Sequence, residues 1–129
     1  MDLNECVPKT KHDHAAVQRA CTVGFPALNP VLPKLLIWLQ DTNWPVESSV
    51  AKLLSASGPE IVPHIRAVFV SDDSIWKHSI LADLCPNLSP AILAELRSDI
   101  ESLAKNPTAA DRLEEVPDAA ANLLATTRN

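Results

Sequence analysis

The chain has 129 residues, enough for one domain with its own core, and its 47% apolar and 21% charged content is that of an ordinary soluble globular protein. Two glycines against eleven prolines exclude a turn-rich β fold and leave little backbone suited to a close phosphate approach. The net charge of −5 arises after Arg66, since six acids and six bases balance over residues 1–66; this argues against nucleic acid and anionic membrane as partners and suits a basic protein partner, or else a merely solvated face.

Residues 1–11 read as a polar N-terminal arm, extended at Val7-Pro8. Met1-Asp2-Leu3-Asn4-Glu5 has neither a basic stretch nor an apolar one, so no secretory signal is expected. Asp13 is placed to cap a first helix over Ala15, Ala16, Val17, Ala20 and Cys21, ended by Gly24. A second helix starts between Pro30 and Pro33, because Pro33 deep inside a helix would cost about 3 kcal/mol. Its face is Leu32, Leu35, Leu36 and Leu39. Asp41–Asn43 turns the corner, and Trp44-Pro45 opens a third helix with the face Val46, Val50, Leu53, Leu54. Two apolar-faced helices joined this tightly must pack as an antiparallel hairpin.

Gly58-Pro59 stops the third helix; both glycines are expected to serve as left-handed caps. A fourth helix carries Ile61, Ile65, Val68 and Phe69, with Pro63 in its first turn. Asp72 or Asp73 caps the fifth, whose face is Trp76, Ile80, Leu84 with Leu81 beside it. Ser89-Pro90 opens the sixth, with Ile92, Leu93, Leu96, Ile100 and Leu103 at helical spacing. Thr108 and Asp111 form a capping-box pattern for a last helix through Leu113, Val116, Ala120, Leu123 and Leu124, which Pro117 should kink or split. The fold expected over residues 1–129 is all-α, about seven helices in one domain.

Pro33 and Pro63 are 30 residues apart and Trp44 and Trp76 are 32 apart, each proline being followed by an apolar helix, a polar corner (Asp41–Asn43; Ser71–Asp73) and then one of the tryptophans. Paired helices at such a period point to a short αα-repeat superhelix, its third unit running from Ile92 to Leu124 without the tryptophan.

Four stretches carry a resemblance: Val7-Pro8-Lys9-x-Lys11-x-Asp13; Trp38-Leu39-Gln40-Asp41-x-Asn43-Trp44-Pro45; Val62-Pro63-His64 with Asp72-Asp73-x-Ile75-Trp76-Lys77; and Asn106-Pro107-Thr108 before an acidic helix. Together the chain resembles an uncharacterised bacterial family, domain of unknown function 5071, whose members are HEAT-like. The resemblance implies a HEAT-like superhelix and no activity. His78-Ser79 and Pro117 depart from the family pattern.

The chemistry must then come from the residues. Asp41, Asn43, Asp72 and Asp73 read as a carboxylate-bearing edge for a metal or small ligand, or as corner residues: Asn43 and one of Asp72/Asp73 capping helices, Asp41 bonding backbone across its turn. Trp44 and Trp76 read as wedges between hairpins or as an aromatic hot spot. Trp38 lies off the Leu32–Leu39 face and is free to pack on the first helix. His64, Lys77 and His78 read as the other edge of the same surface, or as solvated. His12 and His14 with Cys6 or Cys21 lack metal-site spacing, and Cys21 and Cys85 sit on apolar faces as core residues. The three cysteines make no disulfide framework. No phosphate loop, nucleophile elbow or zinc-protease motif is present.

The expected function is therefore non-enzymatic: a cytoplasmic helical-repeat module binding another protein, of the immunity or inhibitor type, with no cofactor. Its candidate contact residues are Asp41, Asn43, Trp44, His64, Asp72, Asp73, Trp76 and Lys77. The alternatives are a ligand or metal site on Asp41, Asp72 and Asp73, or a structural homo-oligomer.

Overall fold

The computed structural model describes residues 2–127, which form helices and turns with no strand among them. The N-terminal stretch is folded down rather than free. Asp2 Oδ1 accepts from the Asn4 N–H at 2.9 Å and starts a 3₁₀ turn at Leu3–Cys6. Cys6 is fully buried, Leu3 and Val7 pack on the core, and Arg19 Nε donates to the Glu5 carbonyl at 2.8 Å. Val7 itself is extended, as its place before Pro8 requires.

Helix α1 (His14–Val23) begins at Asp13, whose Oδ1 accepts from the Ala16 N–H at 3.2 Å. It ends at Gly24 with φ 69°, where a side chain would be strained. Helix α2 (Leu32–Leu36) sits between 3₁₀ turns at Asn29–Val31 and Ile37–Leu39, with Pro33 in its first turn. Helix α3 (Glu47–Leu54) starts two residues later than Pro45, which lies in the turn before it. Helix α4 (Val62–Phe69) follows a 3₁₀ turn at Pro59–Ile61 and has Pro63 in its first turn. Gly58 corrects the expectation of a second left-handed cap. Its φ of −88° is open to any residue, and the 3₁₀ turn after it re-aims the chain without a positive φ.

Asp73 caps α5 (Ser74–Ser79), which widens into a π-helical turn at Ile80–Leu84 and closes with a 3₁₀ turn at Cys85–Asn87. Ser89 caps α6 (Pro90–Lys105). The capping box of Thr108 and Asp111 starts α7 (Ala109–Leu113). Glu115 then takes φ 59°, and α8 (Val116–Thr127) begins with Pro117 in its first turn. The expected split thus makes eight α-helices of seven among the described residues.

The expected faces of α2 and α3 are buried in full, from Leu32 to Leu54. Burying a Leu, Ile or Val side chain is worth about 1.5–3 kcal/mol, so these faces contribute substantially to the stability, together with the buried faces of α4, α6 and α8. Helix α3 packs on α1, on α2 and on the π turn; α2 packs on α4, α4 on α6, and α6 lies along α8. Helix α5 packs on α7 and α8. Helices two apart in sequence thus pack in succession, α1 on α3, α2 on α4, α4 on α6 and α6 on α8, around one core. Arg66 ties α4 to α6 through Asp99 at 3.0 Å, an exposed pair of small energetic worth. No helix among the described residues is long and apolar enough to cross a membrane.

Candidate functional site

The candidate residues fall on two corners. At the first, Asp41 Oδ1 accepts from the Asn43 N–H at 2.8 Å, and the Trp44 N–H reaches the Asp41 carbonyl at 3.2 Å. Asp41 therefore bonds backbone across its own turn, the ordinary use of aspartate at such a place. Asn43 is exposed and caps nothing, because α3 starts further on, at Val46-Glu47, without a side-chain cap. Trp44 is half-buried and packs against Trp38, ring centroids 5.2 Å apart and planes inclined at 60°. Trp38 thus finds its ring partner at the corner.

At the second corner, Asp73 Oδ1 accepts from the Trp76 N–H at 3.0 Å, while Asp72 is exposed. Trp76 Nε1 donates to the Leu36 carbonyl at 3.0 Å, forty positions back in the chain. The indole bonds the last carbonyl of α2 and wedges α5 against it. With Pro33, Leu36, His64, Ala67 and Val68 it lines a small recess of about 150 Å³. His64 and Trp76 are therefore brought together. Trp44 and Trp76 are not equivalent: one is a hydrogen-bonded wedge, the other a member of a surface pair.

Lys77 corrects the sequence reading. It is 3% exposed, not an edge residue, and its ammonium lies 3.1 Å from Asp111 Oδ1. Asp111, 1% exposed, also accepts from the Ser74 hydroxyl at 2.7 Å and, through Oδ2, from the Thr108 N–H at 3.2 Å. Burial pushes the Asp111 carboxyl up, but the bonds from Ser74, Lys77 and Thr108 outweigh it and hold the group below the usual range. Lys77 was misplaced because it follows Trp76 in a polar-looking run; α5 turns that side of the helix toward α7.

Above this buried network lies a shallow, open recess of about 360 Å³ lined by Asp72, Asp73, Ser74, Ile75, Ala110, Leu113 and Glu114. Ile75 is 52% exposed and Leu113 is 83% exposed. Leu113 was expected on the buried face of one long helix. The break at Glu115 resets the helical phase, so Val116, Ala120 and Leu123 face the core while Leu113 faces out. Asp41, Asn43 and Trp44 line neither recess. Among the described residues no group of three or more His, Cys, Asp or Glu side chains is placed to hold a metal ion.

Glu47 was also missed. It is 3% exposed, its Oε2 is buried without a hydrogen-bond partner, and burial pushes its carboxyl up to about 8, with Asp83 adding through a hydrogen bond and its charge. Nothing in the sequence marks it, since a glutamate in a first helical turn is ordinarily solvated.

Two comparisons bear on the chain. The family model described as a domain of unknown function, number 5071, matches residues 6–124. No curated protein matches it.

Proposed function

The chain belongs to that family, and from this premise we propose that it is a non-enzymatic helical-repeat module that binds another protein, a basic one, at the edge between α5 and α7. One observation carries the reading. Two exposed apolar side chains, Ile75 and Leu113, come together from distant parts of the chain inside a rim of Asp72, Asp73 and Glu114. Grouped apolar side chains rimmed by charge suit a partner surface, and lysines or arginines on the partner would meet the three carboxylates. The Lys77–Asp111–Ser74 network beneath fixes α5 against α7, so little order has to be gained on binding.

The HEAT-like arrangement is part of the proposal. It is supported by α2 and α4, which both follow a 3₁₀ turn and carry proline at their second residue, 30 positions apart. The biological form we favour is a cytoplasmic bacterial inhibitor of a toxin or enzyme. Charge, size and the absence of a catalytic motif in the sequence support it.

The test is a tagged capture from native lysate, quantified by mass spectrometry, with the double variant Ile75→Asp/Leu113→Asp as control. A stoichiometric basic protein, released by salt and lost in the variant, is the expected result. Capture that is the same for both proteins refutes this edge. A self-associating chain in sedimentation, with no foreign protein captured, refutes the hetero-partner reading in favour of a homo-oligomer.

A further inference from the structure

We propose that Glu47, facing Asp83, forms a proton-operated latch between the start of α3 and the π turn, closed while the Glu47 carboxyl holds its proton and opened, with the Trp44 corner, when that carboxyl ionises. The latch is independent of the protein-binding reading. Its basis is geometric. The Glu47 side chain is buried, its Oε2 has no hydrogen-bond partner, and the half-buried Asp83 carboxyl comes to it from the π turn. A π turn widens a helix locally and is often found where a side chain has a task.

Among the described residues no cation forms an ion pair with either carboxyl. The charged residues on or beside the elements packed against α3 are Lys11, His12, Asp13, His14, Arg19, Lys34, Asp41 and Asp83, with Lys52 on α3 itself. Arg19 is engaged with the Glu5 carbonyl and Lys34 Nζ with Asn4 Oδ1 at 2.7 Å. Of all these groups, Asp83 is the one whose charge acts on Glu47. Two facing carboxyls, one of them out of water, hold one proton far more readily than none.

The same residue is mechanically tied to the corner. The Glu47 N–H donates to the Trp44 carbonyl at 3.0 Å, and the Val46 N–H donates to the Lys11 carbonyl at 3.1 Å. Displacing Glu47 therefore moves Trp44 relative to Trp38. Because the folded chain keeps a proton that the unfolded chain releases near 4.5, stability falls as pH rises from there to about 8 and then levels.

The experiment follows tryptophan emission and the urea midpoint of the full chain from about pH 6 to about pH 10, a window that brackets the latch and stays above ordinary carboxylate titration. Wild type is compared with Glu47→Gln and Asp83→Asn. Wild type should show a one-proton step in emission together with a falling urea midpoint. Glu47→Gln should lose the step, and Asp83→Asn should move it to lower pH. Superimposable wild-type and Glu47→Gln profiles overturn the latch. So does an unmoved step in Asp83→Asn, which decides the matter by itself if the glutamine variant does not fold. Millimolar calcium or magnesium holding the emission at its low-pH value in alkaline buffer also overturns it, making the pair a cation site.

Discussion

Replacing Lys77 by methionine removes an ammonium whose side chain is 4% exposed and leaves Asp111, at 2%, as a buried carboxylate. Breaking a buried pair from one side costs about 3–5 kcal/mol, because the remaining charge is stranded. The Ser74 hydroxyl and the Thr108 N–H still reach Asp111, so the lower end, about 3 kcal/mol, is expected. For a chain of this size that is a fall of about 10 °C in Tm. The sign of the pH effect also follows. The folded-state pKa of Asp111 is depressed, so its stabilisation is present above the ordinary carboxylate value of 3.8 and is lost as pH falls through the folded value. Without Lys77 one of the lowering contacts is gone, and acid unfolding should begin at higher pH. The double variant Lys77→Met/Asp111→Leu removes the stranded charge and gives up the Thr108 N–H bond of the capping box and the Ser74 hydroxyl bond, about 1 kcal/mol each, so it should be more stable than the single variant. Urea denaturation followed by circular dichroism measures all three proteins. A single-variant loss below about 1 kcal/mol, the worth of a solvent-exposed pair, would refute the reasoning, as would a double variant less stable than the single one.

Trp76→Phe keeps most of the ring but removes the N–H that serves the Leu36 carbonyl, and should cost about 1 kcal/mol in urea denaturation; an unchanged midpoint would show that the carbonyl is satisfied without it. Gly24→Ala should cost about 1 kcal/mol because φ is 69° there. Gly58→Ala should change stability by no more than about 0.5 kcal/mol. The atom nearest its new Cβ is Glu60 Oε1 at 2.9 Å, the far end of a flexible side chain. Equal losses at the two glycines would contradict the backbone assignment. Thiol labelling of the native chain should modify the exposed Cys21 rapidly. Cys85, buried and with its thiol pushed up to about 12, should react only on unfolding. Rapid native labelling of Cys85 would mean that the Cys85–Asn87 turn opens locally.

The elements themselves were legible in the sequence. Asp13, Asp73, Ser89 and Thr108 cap the helices they were expected to cap, Pro33 and Pro63 stand in first turns, and the helix breaks just before Pro117. Each of these features is decided within three or four residues, where side chain, backbone bond and proline ring act on their own neighbourhood. The apolar faces of α2 and α3 were legible for the same reason, since spacing alone puts their leucines on one side.

What the sequence could not carry was the pairing of one face with another. Lys77 and Asp111 are 34 positions apart, Trp76 and the Leu36 carbonyl 40, and nothing near either end announces the other. Asp111 was read correctly as half of a capping box, yet its second oxygen serves a lysine on another helix. Glu47 has the local context of a solvated first-turn acid; it is buried because the π turn, at the far end of α5, packs over it. Leu113 has the spacing of a core residue and is exposed because one residue at positive φ resets the helix behind it. Sequence determined where the helices begin, end and turn their apolar sides, because those are local free energies. Tertiary packing decided which polar groups are buried and which apolar ones are left outside, because a side chain's solvent is set by whatever element arrives against it.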